Sequence, residues 1–116
     1  MSHIVTVKTE LKNIDTIKKV CKNMGLKYHG KKNVKYYNTV KSGIAINLNG
    51  WKYPIAVQND GSVYYDNYNG NWGQIHELNK FIDEYSLVET VNKIEQKHLK
   101  YEVKRFNNEI RVEVFV

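Results

Sequence analysis

The sequence is short of several residue types that usually announce a class of protein. Among 116 residues it has one cysteine, one proline, two alanines and two arginines. A lone thiol, Cys21, cannot close an intramolecular disulfide, which suits a reducing compartment and a fold held by its core. No run of about 18 apolar residues occurs, so a membrane-spanning helix is not expected. The opening MSHIVTVKTE lacks the basic-then-apolar build of a secretory signal, and a cytoplasmic location is the expectation. Linkers, repeats and low-complexity tracts are also missing, so residues 1–116 read as one domain. A domain of this size buries about two thirds of the surface its unfolded chain exposes, enough to dispense with staples.

What is present is lysine, asparagine and tyrosine: sixteen, fourteen and nine residues. The charge is unevenly placed. Residues 1–52 carry eleven lysines against Glu10 and Asp15, a net of +9, whereas residues 53–99 have a net of −4 and residues 100–116 a net of +1. A positive N-terminal half attracts anions, although a solvated lysine face in a lysine-rich chain has the same appearance.

Local patterns give the elements. Residues 3–9 alternate with the two-residue period of a strand. Asn13 reads as an N-cap, Ile14, Ile17, Val20, Cys21 and Met24 follow at helical spacing, and Gly25 reads as the stop. Leu26–His29 and Val34–Asn38 read as short strands joined by a turn at Gly30-Lys31-Lys32-Asn33. Ile44, Ile46 and Leu48 alternate, and Asn49-Gly50 is a type I′ hairpin signal. Ile55 and Val57 mark the return strand, with Pro54 fit only for an edge or a bulge. Asp60-Gly61 turns the chain into Ser62–Tyr65. From Ile75 to Ile94 the apolar spacing becomes helical, predicting one long helix to about Lys97. A hairpin, 100–106 and 109–116, ends the chain. The expectation is an α+β domain in the order β-α-β-β-β-β-α-β-β, mainly an antiparallel sheet with two helices packed on one face and the other face free. Ile4 or Val5, Ile17, Ile46, Ile55, Leu78, Ile82 and Val112 are expected to share one core.

Several features together resemble a known family. They are the MSH opening, the Met24-Gly25 helix end, the Gly43–Tyr53 strand and hairpin, Trp72 in a loop, Tyr85 with Val88 and Val91 on a helix, and the terminal hairpin. The combination is similar to the hypothetical chloroplast reading frame 35 family, a domain family of plastids, cyanobacteria, other bacteria and phages. The resemblance implies a compact α+β domain and no established catalytic residues.

Catalytic chemistry is hard to assemble from this sequence. His3, His29, His76 and His98 form no HxH, HExxH or Cys/His cluster at zinc spacing, so no metal is expected. Cys21 lies on an apolar helical stripe, where a buried small hydrophobe is expected. Asp60 and Asp66 flank a strand but read as a turn and a loop residue. No phosphate-cradling glycine loop is present. The expectation is a protein that is not an enzyme and has no cofactor.

The remaining constellation is aromatic. Trp51, Tyr53, Tyr64, Tyr65, Tyr68 and Trp72 fall within 22 residues, interleaved with Asn59, Asn67, Asn69 and Asn71. Rings stack on bases and amides pair with base edges. Lys31, Lys32 and Lys35 are candidate phosphate contacts, beside Tyr36 and Tyr37. The candidate ligand residues are therefore Lys31, Lys32, Lys35, Tyr37, Trp51, Tyr53, Tyr64, Tyr68 and Trp72. They suit a planar anion, and the leading reading is a non-catalytic binder that sequesters a nucleotide-like signal, as a phage anti-defence sponge would. A single-stranded nucleic-acid module and a protein-interaction or assembly factor are the alternatives. A homodimer or higher homo-oligomer, paired through the free sheet face or the 114–116 edge, is expected on the ground of that edge.

Overall fold

The computed structural model describes residues 5–7, 10–106 and 109–115. Within them the chain is an α+β domain: two helices, an antiparallel sheet and a separate hairpin. From Asn13 onward the order is α-β-β-β-β-α-β-β. Of the strand expected over residues 3–9, only Val5–Val7 (β1) is described, laid antiparallel on a later strand.

The first helix, α1, spans Ile14–Met24. Asn13 caps it by accepting from the Asp15 N–H at 3.1 Å and the Thr16 N–H at 3.3 Å. Gly25, in the left-handed region at φ 68°, ends it and donates to the carbonyls of Cys21 and Lys22. The buried face is Thr16, Ile17, Val20 and Cys21; Ile14, expected on that stripe, is the first residue of the helix and is exposed.

The next segment departs from expectation. Lys27–Lys35 is one nine-residue strand, β2, without a turn at 30–33. Its pairing with β3 (Val40–Asn47) slips by one residue between Tyr28 and Gly30, and Gly30 has φ 77°. The glycine chemistry that reads as a turn is used for a β-bulge, whose extra residue needs the same positive φ. The real turn comes later, where the Tyr36 N–H donates to the Thr39 carbonyl at 2.8 Å.

At Leu48–Trp51 the chain does turn, with the Trp51 N–H donating to the Leu48 carbonyl at 3.2 Å. Gly50 is at φ 76° but Asn49 is not among the positive-φ residues, so the type I′ hairpin is not formed. An irregular passage through Pro54 follows before β4 (Ile55–Val57). Asp60-Gly61 makes the expected tight turn, its carboxylate accepting from the Ser62 N–H (2.9 Å) and hydroxyl (2.6 Å), and leads into β5 (Val63–Tyr65). Sheet order is β1-β5-β4-β3-β2, all antiparallel.

Helix α2 runs unbroken from Ile75 to Gln96. Leu78, Phe81, Tyr85 and Val88 meet Ile17, Val20 and Cys21 of α1 and Ile46, Ile55, Val57, Val63 and Tyr65 of the sheet in one core. Both helices therefore cover one sheet face, as expected. Ile82 lies at the rim of that core, half-buried. Val112, expected inside it, is instead in the hairpin β6–β7 (Lys100–Phe106 and Glu109–Phe115), which shares no ladder with the main sheet. The hairpin runs along α2, tied by the Arg105–Glu84 ion pair and by the Tyr101 hydroxyl donating to Glu95 at 2.7 Å. The expectation for Ile4 and Val5 concerns side chains outside the described residues.

The second sheet face is not left free. Ala45 and Ala56 pair across β3 and β4, forming a shallow floor on which Val34, Tyr36, Tyr53 and Tyr64 pack as a second apolar cluster. Tyr36 lies beyond the end of β2, yet its hydroxyl donates to the Pro54 carbonyl at 2.9 Å and reaches the Tyr64 carbonyl at 3.3 Å. The distal part of the β2–β3 hairpin is thus folded back over its own sheet.

Candidate functional site

The fold-back creates an aromatic platform. Tyr36 is buried beneath the hairpin tip, and the following residue, Tyr37, is 62% exposed. The Tyr37 ring lies 6.0 Å from that of Trp72, Tyr53 meets Trp72 edge-on at 5.6 Å, and Tyr68 stacks on it at 4.8 Å and 25°. Tyr36 and Tyr53 are in edge contact at 5.8 Å, which fixes Tyr53 from below. The Lys52 ammonium lies 4.3 Å from the Trp72 ring centroid and 5.4 Å from that of Tyr53. Farther along the same face, the Lys41 ammonium sits 4.7 Å from the Tyr64 ring.

The loop 66–73 is built to present two of these rings. Asp66 is fully buried and its Oδ1 accepts from the Tyr68 N–H at 3.2 Å. Buried Asn67 donates through Nδ2 to the Gly73 carbonyl at 3.2 Å, and the Trp72 N–H donates to the Asn67 carbonyl at 2.9 Å. Within this frame Tyr68 (φ 46°) and Asn69 (φ 52°) take the left-handed region. For a bulky residue such as Tyr68 that conformation costs on the order of 1 kcal/mol and persists because the surrounding contacts hold it. The Lys52 N–H donates to the Trp72 carbonyl at 2.8 Å, joining the two loops that carry the platform.

The nine candidate residues do not form one site. Tyr37, Tyr53, Tyr68 and Trp72 come together, with Tyr64 beyond them on the same face. Trp51 goes elsewhere: it packs against the helix-side core, edge-on to Tyr65 at 5.4 Å, with Nε1 donating to the Gln74 carbonyl at 3.0 Å. The lysines divide by the strand alternation. Lys32, opposite Gly43, shares the platform's sheet face, while Lys31 and Lys35, opposite Ile44 and Val40, take the other. All three are exposed along the strand and none lies in a turn. Sequence reasoning missed Lys52, although it directly precedes Tyr53 in the aromatic run, and Lys41, which only the fold-back brings to Tyr64.

The segment that carries the platform's lysines holds no acid, since no Asp or Glu occurs between Asp15 and Asp60, and the one carboxylate set into the platform loop is the buried Asp66. The buried Tyr36 hydroxyl is held protonated well above the usual tyrosine range, by burial and by the nearby Asp66 charge. Burial likewise pushes the Cys21 thiol up to about 11, so it offers no thiolate near neutrality. Asp60 and Asp66 serve a turn and a loop, and Ser62 hydrogen bonds hold the Asp60 carboxyl below its ordinary range. Among the described residues no three His, Cys, Asp or Glu side chains gather where a metal ion could be held, and no helix is long and apolar enough to cross a membrane. Among the described residues, grooves of about 480, 520 and 320 Å³ lie along α2, two of them against the hairpin, and none of these three is lined by platform residues. The platform is open at Tyr37, and its rings are set at angles from 25° to 80° to Trp72.

No family model matches the chain, and no curated protein or solved structure matches it either. The functional reading therefore rests on these residues.

Proposed function

We propose that the chain is a non-catalytic binding protein that stacks the bases of a short single-stranded nucleic acid on the platform centred on Trp72. The observation that supports this best is the Lys52 ammonium resting 4.3 Å from the Trp72 centroid, beside stacked Tyr68 and exposed Tyr37. An exposed cation over a ring is worth about 0.5–1 kcal/mol, whereas a stacked base is worth about 1–3 kcal/mol. A base can take the place of the ammonium on Trp72, and the released Lys52 then meets the adjoining phosphate. Lys41 and Lys32 continue the positive charge along the same face.

The exposure of Tyr37 at the platform favours a strand over an enclosed nucleotide. Pockets that capture small ligands are concave and bury most of the ligand, and the three grooves along α2 lie away from the rings. Stacking platforms for single strands are open and draw their affinity from successive bases and backbone phosphates. The test is a fluorescence titration with a 12-mer strand and a panel of mononucleotides and cyclic dinucleotides, each at low and physiological salt. The strand is expected to bind with a log–log salt slope of about 0.7 per phosphate neutralised. Trp72→Ala should weaken it by about 1–3 kcal/mol. Tight nucleotide binding with little salt dependence would instead restore the sequestered-signal reading. No binding tighter than about 100 μM, the weak end of non-specific affinities, would remove both.

A further inference from the structure

The hairpin β6–β7 stands apart from the main sheet as a two-stranded ribbon, and its two outer edges differ. The β6 edge carries Lys100, Lys104 and Arg105, the kind of charge that discourages strand addition. The β7 edge has a single cation, no lysine and no proline, and ends in Val114 and Phe115, which are 41% and 50% exposed. Among the described residues no other strand borders it.

We infer that β7 is the interface for a second copy of this chain, paired antiparallel across a twofold axis at Val112. The register follows from three independent features. First, two residues separate Phe106 from Glu109, and the pair closing such a hairpin exchanges hydrogen bonds. Alternation then assigns Glu109, Arg111, Glu113 and Phe115 to bonds with β6 and turns the backbone N–H and C=O of Ile110, Val112 and Val114 outward. Second, an axis at Val112 places these outward groups against each other: Val112 on the second copy's Val112, and Ile110 on its Val114. From Ile110 to Val114 the strand is palindromic in polarity about that point. Third, the same axis sets Arg111 beside Glu113 of the second copy, in the pair type whose side chains approach most closely. Moving the axis one residue either way would oppose Arg111 to Arg111 or Glu113 to Glu113.

The intrachain ladder makes the cross-chain pairing more favourable still. Within the hairpin Glu102 faces Glu113 and Lys104 faces Arg111, like charges directly opposed, relieved by a diagonal Lys104–Glu113 ion pair at 3.2 Å. Arg111 also has an exposed contact with Glu109 at 3.4 Å. A second β7 brings Arg111 and Glu113 each an opposite charge at ladder distance and extends a two-stranded ribbon to a four-stranded sheet, past the size at which small sheets become stable.

Sedimentation of the full chain across the micromolar range tests the inference. The wild type should shift with concentration from the 13.6 kDa monomer towards twice that mass. Arg111→Glu should weaken dimerisation about tenfold or more, since both symmetry-related pairs become repulsive. It should leave the monomer folded by circular dichroism, because it gains Lys104 opposite while losing Glu109. Should that variant fail to fold, Glu113→Arg puts the same question. The double exchange R111E/E113R should restore dimerisation, because the cross-chain pair is only inverted. A wild type that stays monomeric at high micromolar concentration overturns the inference. So does a dimer indifferent to the single substitutions, or one that the double exchange fails to restore.

Discussion

Gly73 decides whether Trp51 belongs to the fold or to the binding face, and Gly73→Ala is the substitution that reads it out. A Cβ built on Gly73 would lie 2.5–2.7 Å from three central atoms of the Trp51 indole, far inside van der Waals contact. The ring cannot swing away cheaply, because Nε1 is bonded to the Gln74 carbonyl at 3.0 Å and the indole packs in a T-shaped contact with Tyr65 at 5.4 Å. Overpacking of this kind costs about 1–3 kcal/mol, and the fixed indole places Gly73→Ala in the upper half of that range. At about 4 °C or more per kcal/mol for a domain of this size, Tm should fall by about 8–12 °C. In a Trp51→Ala background the same methyl meets no ring, so the two substitutions should couple strongly in a double-mutant cycle. The assay is thermal unfolding of the four proteins, with urea titration to confirm an unchanged m-value. If Gly73→Ala melts within about 2 °C of the wild type, a shift expected from under 1 kcal/mol, Trp51 is not seated on Gly73 and is free to act in the platform.

Two further outcomes can be checked on the same material. Asn13→Ala removes the side chain that accepts from the Asp15 and Thr16 N–H groups and should cost about 1 kcal/mol, read as a lower urea midpoint. The Cys21 thiol, raised to about 11 in the folded chain, is neutral in the native state where the unfolded thiol already ionises, so its stabilising contribution is full below the ordinary thiol value of 9.0 and is lost as pH rises from there to about 11. A thiol reagent at neutral pH should therefore label Cys21 at the rate of chain opening, and rapid labelling of the native protein would contradict its burial.

Where the determinants are local, the sequence was readable. The Asn13 cap and Gly25 stop bracket α1 because each satisfies backbone groups within three or four residues of itself. The Asp60-Gly61 turn is legible for the same reason, since Asp60 bonds Ser62 two residues on. Gly30 and Asn49-Gly50 misled because a positive-φ glycine serves a turn, a bulge or an irregular loop alike, and the choice depends on which strand pairs with it. The place of Val112 is not legible from a single apolar stripe on α2, because another side of that helix is also used, by the ribbon tied to it through Glu84 and Glu95. Of the two tryptophans, nothing local tells the plug from the platform: Trp51 is drawn inward by the space left at Gly73, 22 positions along the chain.

The platform itself depends on a deletion of side chain elsewhere in the sheet. Gly43 cannot carry a Cβ, which would come within 2.8 Å of the Val57 carbonyl and Gln58 Nε2, and the only two alanines of the chain, Ala45 and Ala56, sit opposite each other at the centre of the same face. Large residues there would hold the β2–β3 hairpin away from the sheet, and Val34 and Tyr36 would stay in water. With a floor of small residues the hairpin tip can descend, and burial of Val34 and Tyr36 repays the bend. The two tyrosines that open the turn at 36–39 then divide the work. Tyr36 points inward and anchors the tip through its bonds to the Pro54 and Tyr64 carbonyls, and Tyr37 points outward and delivers its ring to Trp72. Anchor and contact are adjacent residues, so the geometry of the candidate binding face is set by the packing that closes the sheet.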